Sequence, residues 1–179
     1  MQEYVPYIII GAVATALIAG TVVMARIAWR KQVGRYIIAL TSHREAVASA
    51  LKTADSVIAS LAAGDASQLL EFIAPASEER RTLAEIAERM RIEHEELRDL
   101  ALPKALWKFA DMLCDTAGSL AAQTSAVGEA EGEAVLDALL SLDLAAVHTR
   151  LAEAGSEAER VSKAYKVTDS SVYGGGLYI

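Results

Sequence analysis

Residues 5–25 read VPYIIIGAVATALIAGTVVMA, and no charged side chain interrupts them before Arg26. At about 1.5 Å of rise per residue, a helix over this stretch covers roughly 30 Å, the thickness of the hydrocarbon core of a bilayer. A helix is also the one open-ended conformation that satisfies every backbone N–H and C=O in that medium. The stretch therefore predicts a single transmembrane helix, with residues 1–28 as the anchor. A cleavable leader would carry Lys or Arg ahead of a shorter apolar core, whereas only Gln2 and Glu3 stand among the charged or amide side chains here, so the segment is expected to stay.

The flanks predict an orientation. Arg26, Arg30, Lys31 and Arg35 follow the apolar stretch and no basic side chain precedes it, so the positive-inside rule places the long C-terminal part in the cytoplasm and the N-terminus outside. Tyr4 and Tyr7 at one end, and Trp29 with Tyr36 at the other, fall where aromatic side chains sit at headgroup level. Residues 29–36 thus form a basic juxtamembrane neck. Within the span, Ala12, Ala16 and Gly20 recur at four-residue spacing and present a small-residue face on which two spans can pack closely.

Beyond the neck the chain is rich in Ala and Leu, and β-branched residues are concentrated in the span, which predicts an all-α fold. After Tyr36 there are 13 Lys or Arg against 23 Asp or Glu, so this part carries about −10 while the neck carries +4. Nucleic acid is not an expected partner, because phosphate neutralisation needs a basic face. Cys114 is the single cysteine, which excludes an internal disulfide.

Apolar periodicity then maps residues 37–166 as one bundle domain of about four helices. Ile37, Leu40, Val47, Leu51, Ala54, Ile58 and Leu61 form a heptad-like seam, broken by Arg44, on a helix over residues 33–63 that runs on from the span, with Gly34 as the weak point. Gly64 reads as its C-terminal cap, and Asp65 with Gln68 as a capping box for a short helix that Pro75 ends. Ser77 caps the next helix, lined by Leu83, Ile86, Met90, Leu97 and Leu100. Pro103 breaks the chain before a helix lined by Leu106, Ala110, Leu113, Ala117, Leu120 and Val127. A last helix over residues 133–166 carries Leu136, Leu140, Leu144, Val147, Leu151, Ala158, Val161 and Tyr165, with Gly155 as a point of bending. Short connections make an up-down antiparallel arrangement the expectation. In outline, a span followed by a cytoplasmic bundle resembles LemA-type membrane proteins, but no motif matches residue by residue and the resemblance implies no site.

A search for chemistry finds no catalytic, cofactor or metal motif. The residues three before His43, His94 and His148 are Leu40, Arg91 and Ala145, so the Glu-x-x-His pairs of a di-iron bundle are missing. No His-x-x-x-His, Cys-x-x-Cys, phosphate loop or Gly-x-Ser-x-Gly occurs. His94 lies among Glu93, Glu95 and Glu96 and reads as part of a solvated face, as do Asp111 and Asp115; Cys114 reads as packing, and Trp107 as a cap on the bundle end. Residues 167–179 form a tail in which Tyr173, Leu177, Tyr178 and Ile179 flank three glycines, a composition suited to docking. The reading is a non-enzymatic, membrane-anchored structural or interaction protein with protein partners or self-association and no evident small-molecule substrate; a membrane sensor that transmits helix motion is the alternative.

Overall fold

The computed structural model describes residues 5–74 and 76–167, with side chains described from Leu17 onward. Among these residues every regular element is helical: α1 Val5–Ala63, α2 Ala66–Ile73, α3 Glu78–Asp99, a 3₁₀ turn Lys104–Leu106, α4 Trp107–Glu129, α5 Ala134–Leu140 and α6 Leu144–Tyr165.

The first helix runs 59 residues without a break, so apolar stretch, neck and first bundle helix are one rod. The helix is unbroken at Gly34. A Cβ there would lie 3.6 Å from Val167 Cγ2, so the bare position lets the chain leaving α6 lie close against α1. The two halves of the rod differ sharply in surroundings. From Leu17 to Gln32 every side chain is exposed, whereas Val33, Ile37, Leu40, Val47, Leu51, Ala54 and Leu61 are buried against the other helices.

The rod ends without the expected glycine cap. Gly64 does not adopt a left-handed backbone; a Cβ on it would collide with the Gln68 side chain. Asp65 does cap α2, with its carboxylate accepting from the Ser67 and Gln68 amides at 2.9 and 3.1 Å. Ser77 caps α3 in the same way, through Oγ and the Arg80 amide at 3.2 Å.

Direction follows from which residues meet. Gly128 of α4 lies on Ala84 of α3, while Gly118 lies on His94, so α3 and α4 are antiparallel. Asp55 of α1 meets His148 of α6, and Arg44 meets Gly155, so that pair is antiparallel too. With α4 against α6 and α1 against α3, the helices close a bundle around Leu40, Leu83, Met90, Phe109, Leu113 and Leu120, all fully buried. The turn after α3 and the end of α6 lie at the neck end; α2 and α5 lie at the far end.

The last helix also departs from expectation. It is interrupted at residues 141–143, where the Asp143 carboxylate caps α6 by accepting from the Ala146 amide at 2.9 Å. The break turns α5 off the α6 stripe, so Val135 is buried and Leu140 is 84% exposed, the reverse of what a continuous helix requires. At its other end α6 closes on Lys166, whose φ of 56° carries the turn that glycine usually supplies.

Candidate functional site

The predicted membrane-interface side chains Arg26, Trp29, Arg30 and Lys31 are exposed on the free part of the rod, and Arg35 is exposed where the rod enters the bundle. Above them Leu17, Ile18, Val22, Val23, Met24 and Ile27 are exposed large apolar groups pointing in all directions around one helix. Such a surface is not the single stripe of a helix made to lie on a core. This is the one described helix long and apolar enough to cross a membrane. Tyr36, expected at headgroup level, instead packs against the core. In the small-residue face, a Cβ at Gly20 would meet nothing within 4 Å, so that position is open; the side chains of Tyr7, Ala12 and Ala16 lie outside the described residues, as does all of Tyr4. The tail residues Tyr173, Leu177, Tyr178 and Ile179 also lie outside them. Val167, where the description stops, sits against Gly34, so the tail leaves the bundle beside the neck.

Inside the bundle, polar side chains collect at helix junctions. Arg80 is buried on α3 and its guanidinium reaches three carbonyls: Nη1 donates to Ile73 at 3.0 Å, and Nη2 to Gly128 at 2.9 Å and to Ala130. These acceptors close α2 and α4, so one cation ties both ends to α3 and faces the negative end of the α4 dipole. On α6 the buried Glu157 accepts from Arg160 at 2.6 and 2.9 Å and meets Lys108 of α4 at 3.4 Å. Hydrogen bonding to Arg160 holds its carboxyl below the ordinary 4.5.

All three histidines face a neighbouring helix. His148 Nε2 lies 2.8 Å from Asp55 of α1. His94, expected on a solvated acidic face, turns inward: Nδ1 lies 2.9 Å from the Cys114 carbonyl of α4 and 3.2 Å from Cys114 Sγ. A carbonyl only accepts, so Nδ1 carries the proton and has no lone pair with which to deprotonate the thiol. Burial, with Asp115 adding to it, raises the thiol pKa and so favours the protonated thiol. His43 of α1 meets Glu93 of α3 with Nδ1 and Oε1 2.5 Å apart, their side chains 19% and 12% exposed. Glu96, one turn on from Glu93, stands beside them, and one ligand atom from each residue falls within 4.8 Å of the other two.

No sequence spacing announces these groupings, because their members stand 20 to 93 residues apart on different helices. Trp107 behaves as the expected cap: Nε1 donates to the Leu102 carbonyl at 2.8 Å and fastens the turn, while the Lys104 ammonium sits 5.8 Å above its ring. Asp111 and Asp115 are exposed, as expected. A groove of about 470 Å³ between α3 and α4 is lined by Ala84, Ala87, Ala121 and Gly128; of its charged members Glu88, Arg91 and Glu129, the first two pair with each other at 2.8 Å and Glu129 accepts from Ser125 Oγ.

No protein-family model matches the chain, and no match is found among curated proteins or solved structures. The functional reading therefore rests on the residues themselves.

Proposed function

We propose that the protein is a membrane-anchored, non-enzymatic interaction protein, in which the first half of α1 crosses a bilayer and the helical bundle stands on the cytoplasmic side as a docking platform. The observation that carries the reading is the exposure of Leu17, Ile18, Val22, Val23 and Met24 on every side of a helix whose lower half is a buried bundle member. In water that surface is strongly unfavourable, at about 25 cal/mol per Å² of apolar area; in hydrocarbon it is at home. Arg26, Arg30, Lys31 and Arg35 then lie at the cytoplasmic headgroups, while the acidic bundle is held off an anionic leaflet. The tail, with Tyr173, Leu177, Tyr178 and Ile179, starts at the neck and engages a partner or a second copy near the membrane surface. Small residues around Gly20 offer a face for self-association within the bilayer.

The test is accessibility labelling in a Cys114→Ser background. A cysteine in place of Gln2 is expected to react with an impermeant thiol reagent added outside cells, and one in place of Glu131 only after permeabilisation. Glu131 is chosen over Gly132 because Gly132 sits at a φ of 56° that disfavours a side chain. Recovery of the protein in the alkaline-carbonate supernatant would refute the anchor, and reversed labelling would refute the orientation. The continuity of α1 from the apolar stretch into Val33 and Ile37 favours a second reading, a sensor in which movement of the membrane half reaches the bundle directly.

A further inference from the structure

A contact between α1 and α3 in the neck half of the bundle brings together one imidazole and two carboxylates. Glu93 and Glu96 stand three apart on α3 and so share a face. His43 reaches that face from α1, and its Nδ1 lies 2.5 Å from Glu93 Oε1. Three ligand atoms around one zinc-sized ion at about 2.0–2.2 Å each lie roughly 3–3.5 Å from one another. The span here, from 2.5 Å for the closest pair to at most 4.8 Å, brackets that spacing, and both glutamates have rotatable arms with which to adjust.

We propose that His43, Glu93 and Glu96 bind one divalent transition-metal ion of the zinc class and that the ion clasps α1 to α3. The Nδ1–Oε1 hydrogen bond holds one proton; as the cation binds Nδ1 and the carboxylate, that proton passes to Nε2 or to water. One imidazole with two carboxylates suits Zn²⁺ and its first-row neighbours, whereas Ca²⁺ and Mg²⁺ call for oxygen ligands alone and Cu⁺ for sulfur. Two carboxylates balance the ion's charge, and water completes the coordination through the exposed side at Glu96. His43 and Glu93 are shielded enough that bulk water competes poorly for the same positions. The clasp joins the rod that passes through the neck to the rest of the bundle, so it sets how firmly the two move together. It stands whether or not the rod crosses a membrane.

The experiment uses the full chain in detergent, stripped with a chelator and titrated with Zn²⁺, with Co²⁺ as the spectroscopic probe. One equivalent is expected to bind, with a visible Co²⁺ absorption shift. Zn²⁺ at a hundred times its Kd is expected to raise the folded-to-unfolded ratio about 100-fold. Glu96→Gln changes an exposed residue and leaves the fold intact; it is expected to weaken binding about tenfold or more, and His43→Asn to abolish it. Unsaturable binding, or affinity unchanged in Glu96→Gln, would mean adventitious capture by surface carboxylates and would overturn the proposal. Should His43→Asn not fold, the Glu96→Gln titration decides alone.

Discussion

Replacing Arg80 probes the point where three segments are joined by one side chain. Its guanidinium donates to the carbonyls of Ile73, Gly128 and Ala130 from a side chain only 5% exposed. A hydrogen bond to a charged group contributes about 1.5–3 kcal/mol, and a buried acceptor left without a partner costs about 1–3 kcal/mol. These carbonyls sit at helix ends where water can reclaim part of the loss, so Arg80→Met, which keeps the packing of the stem, is expected to cost about 3–4 kcal/mol. For a domain of this size that corresponds to a fall in Tm of about 10 °C. The measurement is thermal and urea unfolding of a fragment covering residues 33–167, which begins at Val33 because that side chain is fully buried and ends at Val167 because it packs on Gly34. Arg80→Lys retains the charge but lacks the fork, and is expected to recover about a third of the loss. An Arg80→Met fragment melting within about 2 °C of the parent would show that the three carbonyls do not depend on the cation.

Three further outcomes follow from particular contacts. Because Arg160 holds the Glu157 carboxyl below its ordinary value, that group contributes stability above the unfolded-state pKa and loses it as pH falls through the folded-state value. Glu157→Gln is therefore expected to lower Tm at about pH 7, with the gap to wild type narrowing as the pH falls below the ordinary carboxyl range; a gap independent of pH would refute the assignment. A Cβ at Gly118 would come within 3.0 Å of His94 Nδ1, so Gly118→Ala is expected to destabilise the parent but to stabilise a His94→Ala background by about 0.5–1 kcal/mol, the ordinary helix gain. The same sign in both backgrounds would place His94 elsewhere. Leu140→Ala is expected to stay within about 0.5 kcal/mol and Leu120→Ala to cost about 2–5 kcal/mol; a large Leu140 effect would restore an unbroken last helix.

What could be read from the chain alone was local. Asp65 and Ser77 cap helices because each needs only amides two or three residues ahead, and Pro103 stands in the break between α3 and the turn Lys104–Leu106 because the residue before a proline is kept out of the helical region. The seams of α3 and α4 were legible because burial at Leu83, Met90, Leu113 and Leu120 repeats with the helical turn. The break at Asp143 was equally local and its signal was present, an acidic cap followed by Leu144, but the apolar period on either side masked it. Arg80, His43 with Glu93, and His94 with Cys114 were not legible. Each depends on which residues the bundle register sets opposite one another, and no spacing along the chain encodes that.

Because α1 is unbroken between Met24 and Val33, its two halves share one helical phase. Each residue in an α-helix advances about 100° and 1.5 Å. Inserting a single residue among positions 26–32 would swing the whole bundle by more than a quarter turn about the rod while lifting it hardly at all. The azimuth of α3, α4 and α6 about the apolar half of the rod is thereby set by a count of residues, much as the cut of a key is set by its angle on the shank.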